Sequence, residues 1–142
     1  MGNRATVTFH KTEDEPAVYL HWNGGPESVY AFLEEFKKRN YGHDEQYDTA
    51  RFAQVVGEFF DPDALSLGIL PSASDPGDNG IYYIANKQVV RRIVDGVEWS
   101  KAKVTRERNK AVKEQQYLDI LSYFDALREH KKQFWKEQGR NA

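Results

Sequence analysis

The patterning of apolar residues predicts an α+β fold: one domain with a small, mainly antiparallel sheet, two short helices and one long C-terminal helix. Three observations carry this. Residues 4–10 and 17–22 alternate apolar and polar positions around the acidic loop Glu13-Asp14-Glu15-Pro16, as the two arms of a hairpin do. Residues 26–39 and 46–60 place apolar residues at the i, i+3, i+4, i+7 spacing of amphipathic helices. Residues 101–138 contain neither proline nor glycine, whereas the stretch before them is cut into short apolar runs by turn residues. A chain of 142 residues is the size of one domain. The elements therefore divide into an α+β body over 1–99 and a basic C-terminal helix over 100–142 packed on the same core.

Each element has its own signature. In the first strand, Val7 and Phe9 share a face; in the second, Val18, Leu20 and Trp22 share one and Tyr19 and His21 the other. Gly24-Gly25 can take positive φ and Pro26 suits the first helical position, so a helix starts there. Its stripe is Val29, Phe32, Leu33 and Phe36, with Glu27 early and Lys37-Lys38-Arg39 late to suit the helix dipole. Residues 40–44 form a loop. The second helix turns around Ala50, Ala53, Val56 and Phe60, with Phe52, Val55 and Phe59 widening the stripe, and Asp61-Pro62 ends it. Leu65 to Leu70 reads as a strand, PSASDPGDNG (71–80) as an exposed loop, and 81–85, 88–94 and 97–99 as a meander turning at Asn86-Lys87 and Asp95-Gly96. In the last helix Tyr117, Ile120, Leu121, Phe124 and Leu127 form an apolar stripe, while 101–116 is almost wholly polar and basic. A helix of that length cannot be buried throughout, so its first half must project, cross the sheet or meet another chain.

Composition narrows the chemistry. The absence of cysteine removes disulfides, thiol catalysis and thiolate metal sites. The N-terminus has no long apolar run, so neither a signal peptide nor a membrane span is expected, and the bacterial cytoplasm is the expected location. The net charge of −2 conceals an asymmetry. Residues 1–99 carry 9 Lys and Arg against 16 Asp and Glu, and residues 100–142 carry 11 against 6. An acidic body with a basic helix can pair with itself as a homodimer or present two faces to different partners.

No nucleophile elbow, phosphate loop, dinucleotide fingerprint or zinc signature is present, and no catalytic residues, metal or cofactor are expected. His43 with Asp44 and Glu45 reads as a flexible acidic loop in preference to a cation site, and Asp75, Asp78 and Asn79 lack the spacing of a calcium loop. The best small-ligand candidate is His21-Trp22-Asn23-Gly24-Gly25. A glycine pair at a helix N-terminus exposes amides suited to an anion, with His21 and Asn23 as further donors and Trp22 as a stacking face. The alternative is a junction in which Trp22 fills the core, Asn23 turns the chain and the glycines make the connection. Asp78 and Asn79 would join the site if the two turns converge at one sheet end. The basic helix carries Lys101, Lys103, Arg106, Arg108, Lys110 and Lys113, just after Trp99. It can bind phosphates, bind a protein, or stay solvated and intermittently paired with Glu107 and Glu114. The acidic residues Glu13, Asp14, Glu15, Asp44 and Glu45 offer a second partner face.

The segments MGNRATVTF, YLHWNGGPESVYAFL and GDNGIYYI together resemble a family of small, mostly uncharacterised proteins encoded by bacteria, their phages and other mobile elements. The resemblance spans most of residues 1–85. It implies a genomic setting in which many small cysteine-free proteins counter host defence, anti-CRISPR proteins among them. The expected function is therefore a non-enzymatic protein-binding module that inhibits a host defence complex by surface occlusion. A small-ligand or nucleotide-binding protein using the HWNGG turn is the alternative, and nucleic-acid binding through the basic helix a third.

Overall fold

A computed structural model describes residues 3–9, 12–39, 45–60 and 66–139. The elements are β1 (Ala5–Thr8), β2 (Pro16–Leu20), α1 (Pro26–Arg39), α2 (Glu45–Phe59), β3 (Leu67–Pro71), β4 (Ile81–Ala85), β5 (Gln88–Val94), β6 (Val97–Glu98), α3 (Lys101–Ala111) and α4 (Gln115–Glu137). His43, Asp44 and Leu65, and the side chain of Glu45, lie outside the described residues.

The six strands lie in the order β3-β2-β1-β4-β5-β6, and every pair is antiparallel except β1 with β4. β1 is central, so both of its faces are covered: Ala5, Thr6, Val7 and Thr8 are all buried. On one face Val7, Val18, Leu20, Tyr82 and Ile84 join Val29, Phe32 and Phe36 of α1 and Phe52 and Val55 of α2 in one core. On the other face the 72–80 loop folds back, and Thr6 Oγ1 donates to Ser74 O (2.7 Å) while Thr8 and Ser72 share a hydroxyl–hydroxyl bond (2.7 Å). Those two bonds satisfy polar groups that burial would otherwise leave unpaired.

α1 is buried along nearly its whole length because α4 packs on it from the far side. Phe124 of α4 lies 6.2 Å from Phe32 and 6.1 Å from Phe59, ring centre to ring centre, and Ile120 is buried beside it. Glu35 of α1 is fully buried, and its Oε2 accepts from Arg39 Nε and Arg128 Nε (2.8 Å each), fastening α4 to α1.

Three expectations are corrected. Residues 101–138 do not form one helix. The chain breaks at Val112–Glu114, where Lys113 N–H turns back to Lys110 O and Glu114 is extended (ψ 145°) ahead of α4. No glycine or proline marks the break; packing imposes it, because α3 must follow α1 and β5 while α4 turns its apolar stripe onto α1. Trp22 is not a core residue but 48% exposed, because β2 ends at Leu20 and the alternation of faces ends with it. Ala50 is exposed, and the buried side of α2 is Phe52, Val55 and Val56.

Candidate functional site

The three segments that carry the family resemblance meet at one end of the sheet. Asn3-Arg4, leading into β1, runs between the end of β2 and the start of β4. On one side, Gly24 N–H donates to Asn3 O (2.8 Å). A Cβ at Gly24 would sit 2.6 Å from Asn3 O and 2.7 Å from Ala5 Cβ, so glycine is required by close approach. On the other side, Asp78 Oδ2 accepts from Arg4 N–H (3.1 Å) and Arg4 Nε (2.9 Å). Asn79 N–H donates to Arg4 O (3.0 Å) and Asn79 Nδ2 to Asn3 Oδ1 (2.7 Å). Tyr82 closes the ring by donating its hydroxyl to Gly24 O (2.7 Å). The paired Arg4 guanidinium holds the Asp78 carboxyl below its usual range.

The HWNGG and GDNG turns are therefore brought to one sheet end, joined through Asn3-Arg4. The Gly24 amide is spent on Asn3, and Gly25 O accepts from Ser28 N–H and Val29 N–H to start α1. Asn23 takes positive φ (59°) and reaches Ser28 Oγ, 3.2 Å away. His21 Nδ1 lies 2.7 Å from the Tyr19 hydroxyl, and Trp22 meets the His21 ring edge-on at 4.9 Å. What remains at this turn for a ligand is the outer side of His21 and the exposed Trp22.

The acidic candidates Glu13, Asp14 and Glu15 form the exposed β1–β2 loop. Its backbone is fixed by Ser72 N–H to Glu15 O (2.8 Å) and Ala73 N–H to Glu13 O (3.2 Å).

The strongest feature is α3 and what holds it. Ser100 caps the helix, its Oγ accepting from Lys103 N–H at 3.2 Å. Val104, Glu107 and Ala111 turn inward at helical spacing, with Val104 and Ala111 buried. Glu107 meets Arg92 of β5, which is 1% exposed, through paired contacts of 2.8 and 3.2 Å. Arg92 also donates to Asn79 O (2.6 Å) and Ile81 O (3.1 Å), and its guanidinium stacks 3.6 Å above the Tyr82 ring. The expectation that Glu107 is interspersed as a partner for the helix cations is thus overturned, because β5 takes it inward.

With Glu107 taken inward, Lys101, Lys103, Arg106, Arg108, Lys110 and Lys113 have no carboxylate partner within ion-pair distance among the described residues. Lys103 lies 4.3 Å over the Trp99 ring, a cation–π contact. Beside the helix runs a groove of about 350 Å³ lined by Pro26, Glu27, Lys103, Arg106, Lys110 and Glu114, among others. Val112 and Leu118, both partly exposed, add an apolar patch at the α3–α4 junction.

Sequence reading did not single out Arg92, Glu35 or Tyr30. The run Val90-Arg91-Arg92-Ile93 held a usable signal: neighbouring arginines on a strand must point to opposite faces, so one must be paired inside. Arg91 is the outer one, over Tyr83 at 4.6 Å and paired with Glu98 at 2.8 Å. Among the described residues no helix is long and apolar enough to cross a membrane. Comparisons with protein families, with curated proteins and with solved structures find no match.

Proposed function

We propose that this chain is a non-enzymatic protein-binding module that acts by covering a functional surface of its partner, with the basic face of α3 as the contact. The observation that supports this most is the inward capture of Glu107 by Arg92, which leaves six cations displayed on one short helix with no acid to answer them. A surface so arranged favours an acidic counterpart and speeds its encounter. Glu27 and Glu114 in the adjoining groove would repel a polyphosphate backbone, and Val112 and Leu118 offer an apolar contact that a protein surface can bury. The mixed surface therefore fits a protein better than a nucleic acid. The resemblance to mobile-element proteins makes a host defence complex, such as a CRISPR effector, the first class of partner to test.

The test is a binding assay with the native chain and with Lys103→Glu/Arg106→Glu/Lys110→Glu, using purified defence complexes. These exposed side chains make no ion pair, so each substitution shifts stability by no more than about 0.5 kcal/mol. Loss of binding with folding intact is the expected result. Equal binding by both forms, or salt-dependent retention of random-sequence DNA by the native chain in a mobility-shift assay, would overturn the reading.

A further inference from the structure

We propose that the cavity between α1, the β4–β5 turn and the α3–α4 junction binds a small phosphate-like oxyanion. The cavity measures about 100 Å³, the liquid volume of roughly three water molecules at about 30 Å³ each. That is room for an anion of a few heavy atoms; the sugar and base of a nucleotide would lie outside it.

Three elements each contribute a cation to the wall: Lys37 from α1, Lys87 from the β4–β5 turn and Arg108 from α3. Glu34 is the one acid among the lining residues, and it already has Lys37 Nζ 3.8 Å away. Arg108 has no carboxylate partner among the described residues. Converging cations repel one another, and a bound anion relieves that repulsion most where solvent is partly excluded.

Tyr30 and Tyr117 complete the polar wall. The Tyr30 hydroxyl is buried and has no hydrogen-bond partner among the described residues. Leaving such a group unpaired costs about 1–3 kcal/mol, and a bound ion is one of the standard explanations for it. Burial, followed by the charge of Glu107, pushes the Tyr30 pKa up to about 12, so it remains a donor across the physiological range. An oxyanion supplies the acceptor that the hydroxyl lacks and the counter-charge that Arg108 lacks. The site lies apart from the HWNGG turn and does not depend on the protein-binding reading.

The test is calorimetric titration of the full chain with orthophosphate and, separately, with AMP, at constant ionic strength. The native chain should bind orthophosphate at one site with a dissociation constant in the millimolar range or tighter. Arg108→Gln should weaken binding by about tenfold or more, the loss of one charge-assisted contact. Tyr30→Phe should weaken it several-fold while melting no lower than native in phosphate-free buffer, which separates ligation from folding. Lys132→Gln, an exposed change elsewhere on α4, should bind as native does. Binding of both ions means that the phosphoryl group is read with the nucleoside outside; binding of orthophosphate alone means that the cavity closes over the free ion. Either outcome supports the site. No saturable heat from orthophosphate or AMP up to about 10 mM, or undiminished affinity in Arg108→Gln, would overturn it.

Discussion

Replacing Arg92 with Met removes the tie between α3 and the sheet while keeping an unbranched side chain of similar length. Four contacts are lost together: the paired contact with Glu107, the donations to Asn79 O and Ile81 O, and the stack 3.6 Å above Tyr82. Breaking one side of a buried ion pair costs about 3–5 kcal/mol. Glu107 is 12% exposed and can swing partly toward water, which places the expected loss toward the lower end, while two orphaned carbonyls push it back up. The expected cost is therefore about 3–4 kcal/mol, a fall in melting temperature of roughly 10 °C or more for a chain of this size. Urea denaturation followed by circular dichroism measures it. A double-mutant cycle with Glu107→Gln should give a coupling above about 1 kcal/mol. The reasoning fails if Arg92→Met costs less than about 1 kcal/mol, or if the two substitutions are additive within about 0.5 kcal/mol.

Further outcomes follow from the same geometry. Gly80→Ala puts a Cβ 2.1 Å from Ile93 O at a φ of +67°, so it should cost at least about 3 kcal/mol by denaturant unfolding; native-like stability would contradict the β4–β5 register. In alkaline titration at 295 nm, Tyr82 and Tyr30 should ionise late, because burial raises both, Tyr30 to about 12. Their raised values give stability that is full below about pH 10 and falls as pH climbs through the folded values; all tyrosines ionising together near pH 10 would count against the core. Two carboxyls work in the other direction. Burial by itself would raise Glu58, but hydrogen bonds from Arg39 and Lys131 outweigh it and hold it low; Asp78 is held low by Arg4. Their stabilisation is present above the ordinary carboxylate range and is lost as pH falls through the folded values. Asp78→Asn with Glu58→Gln should therefore flatten the acid limb of the stability curve, and an unchanged limb would refute the assignment.

Much of this fold is readable from local pattern. Val29, Phe32, Leu33 and Phe36 state α1 outright, and the structure places its limits where Pro26 and Arg39 suggest. The meander from Ile81 to Val94 follows from its two turns. What local pattern misses is what long-range packing decides. The break after Ala111 has no glycine or proline to announce it, because only the docking of α3 on β5 and of α4 on α1 requires it. Trp22 was misplaced because alternation was extended two residues past the end of β2. The basic helix was visible at once as Lys101 to Lys113, but its character was not. Whether Glu107 neutralises its neighbours or faces inward depends on Arg92, fifteen residues earlier and on another element. The cavity beside Tyr30 draws its cations from α1, a turn and α3, and no window of sequence contains them together.

The central claim is that α3 is anchored inward so that its cations face a protein partner. Its most direct test is co-purification of native and Lys103→Glu/Arg106→Glu/Lys110→Glu chains with candidate defence complexes, quantified by mass spectrometry. The account predicts a protein complex retained by the native chain and lost by the charge-reversed one, with both chains equally folded. A partner retained equally by both, or no protein partner for either, would contradict it.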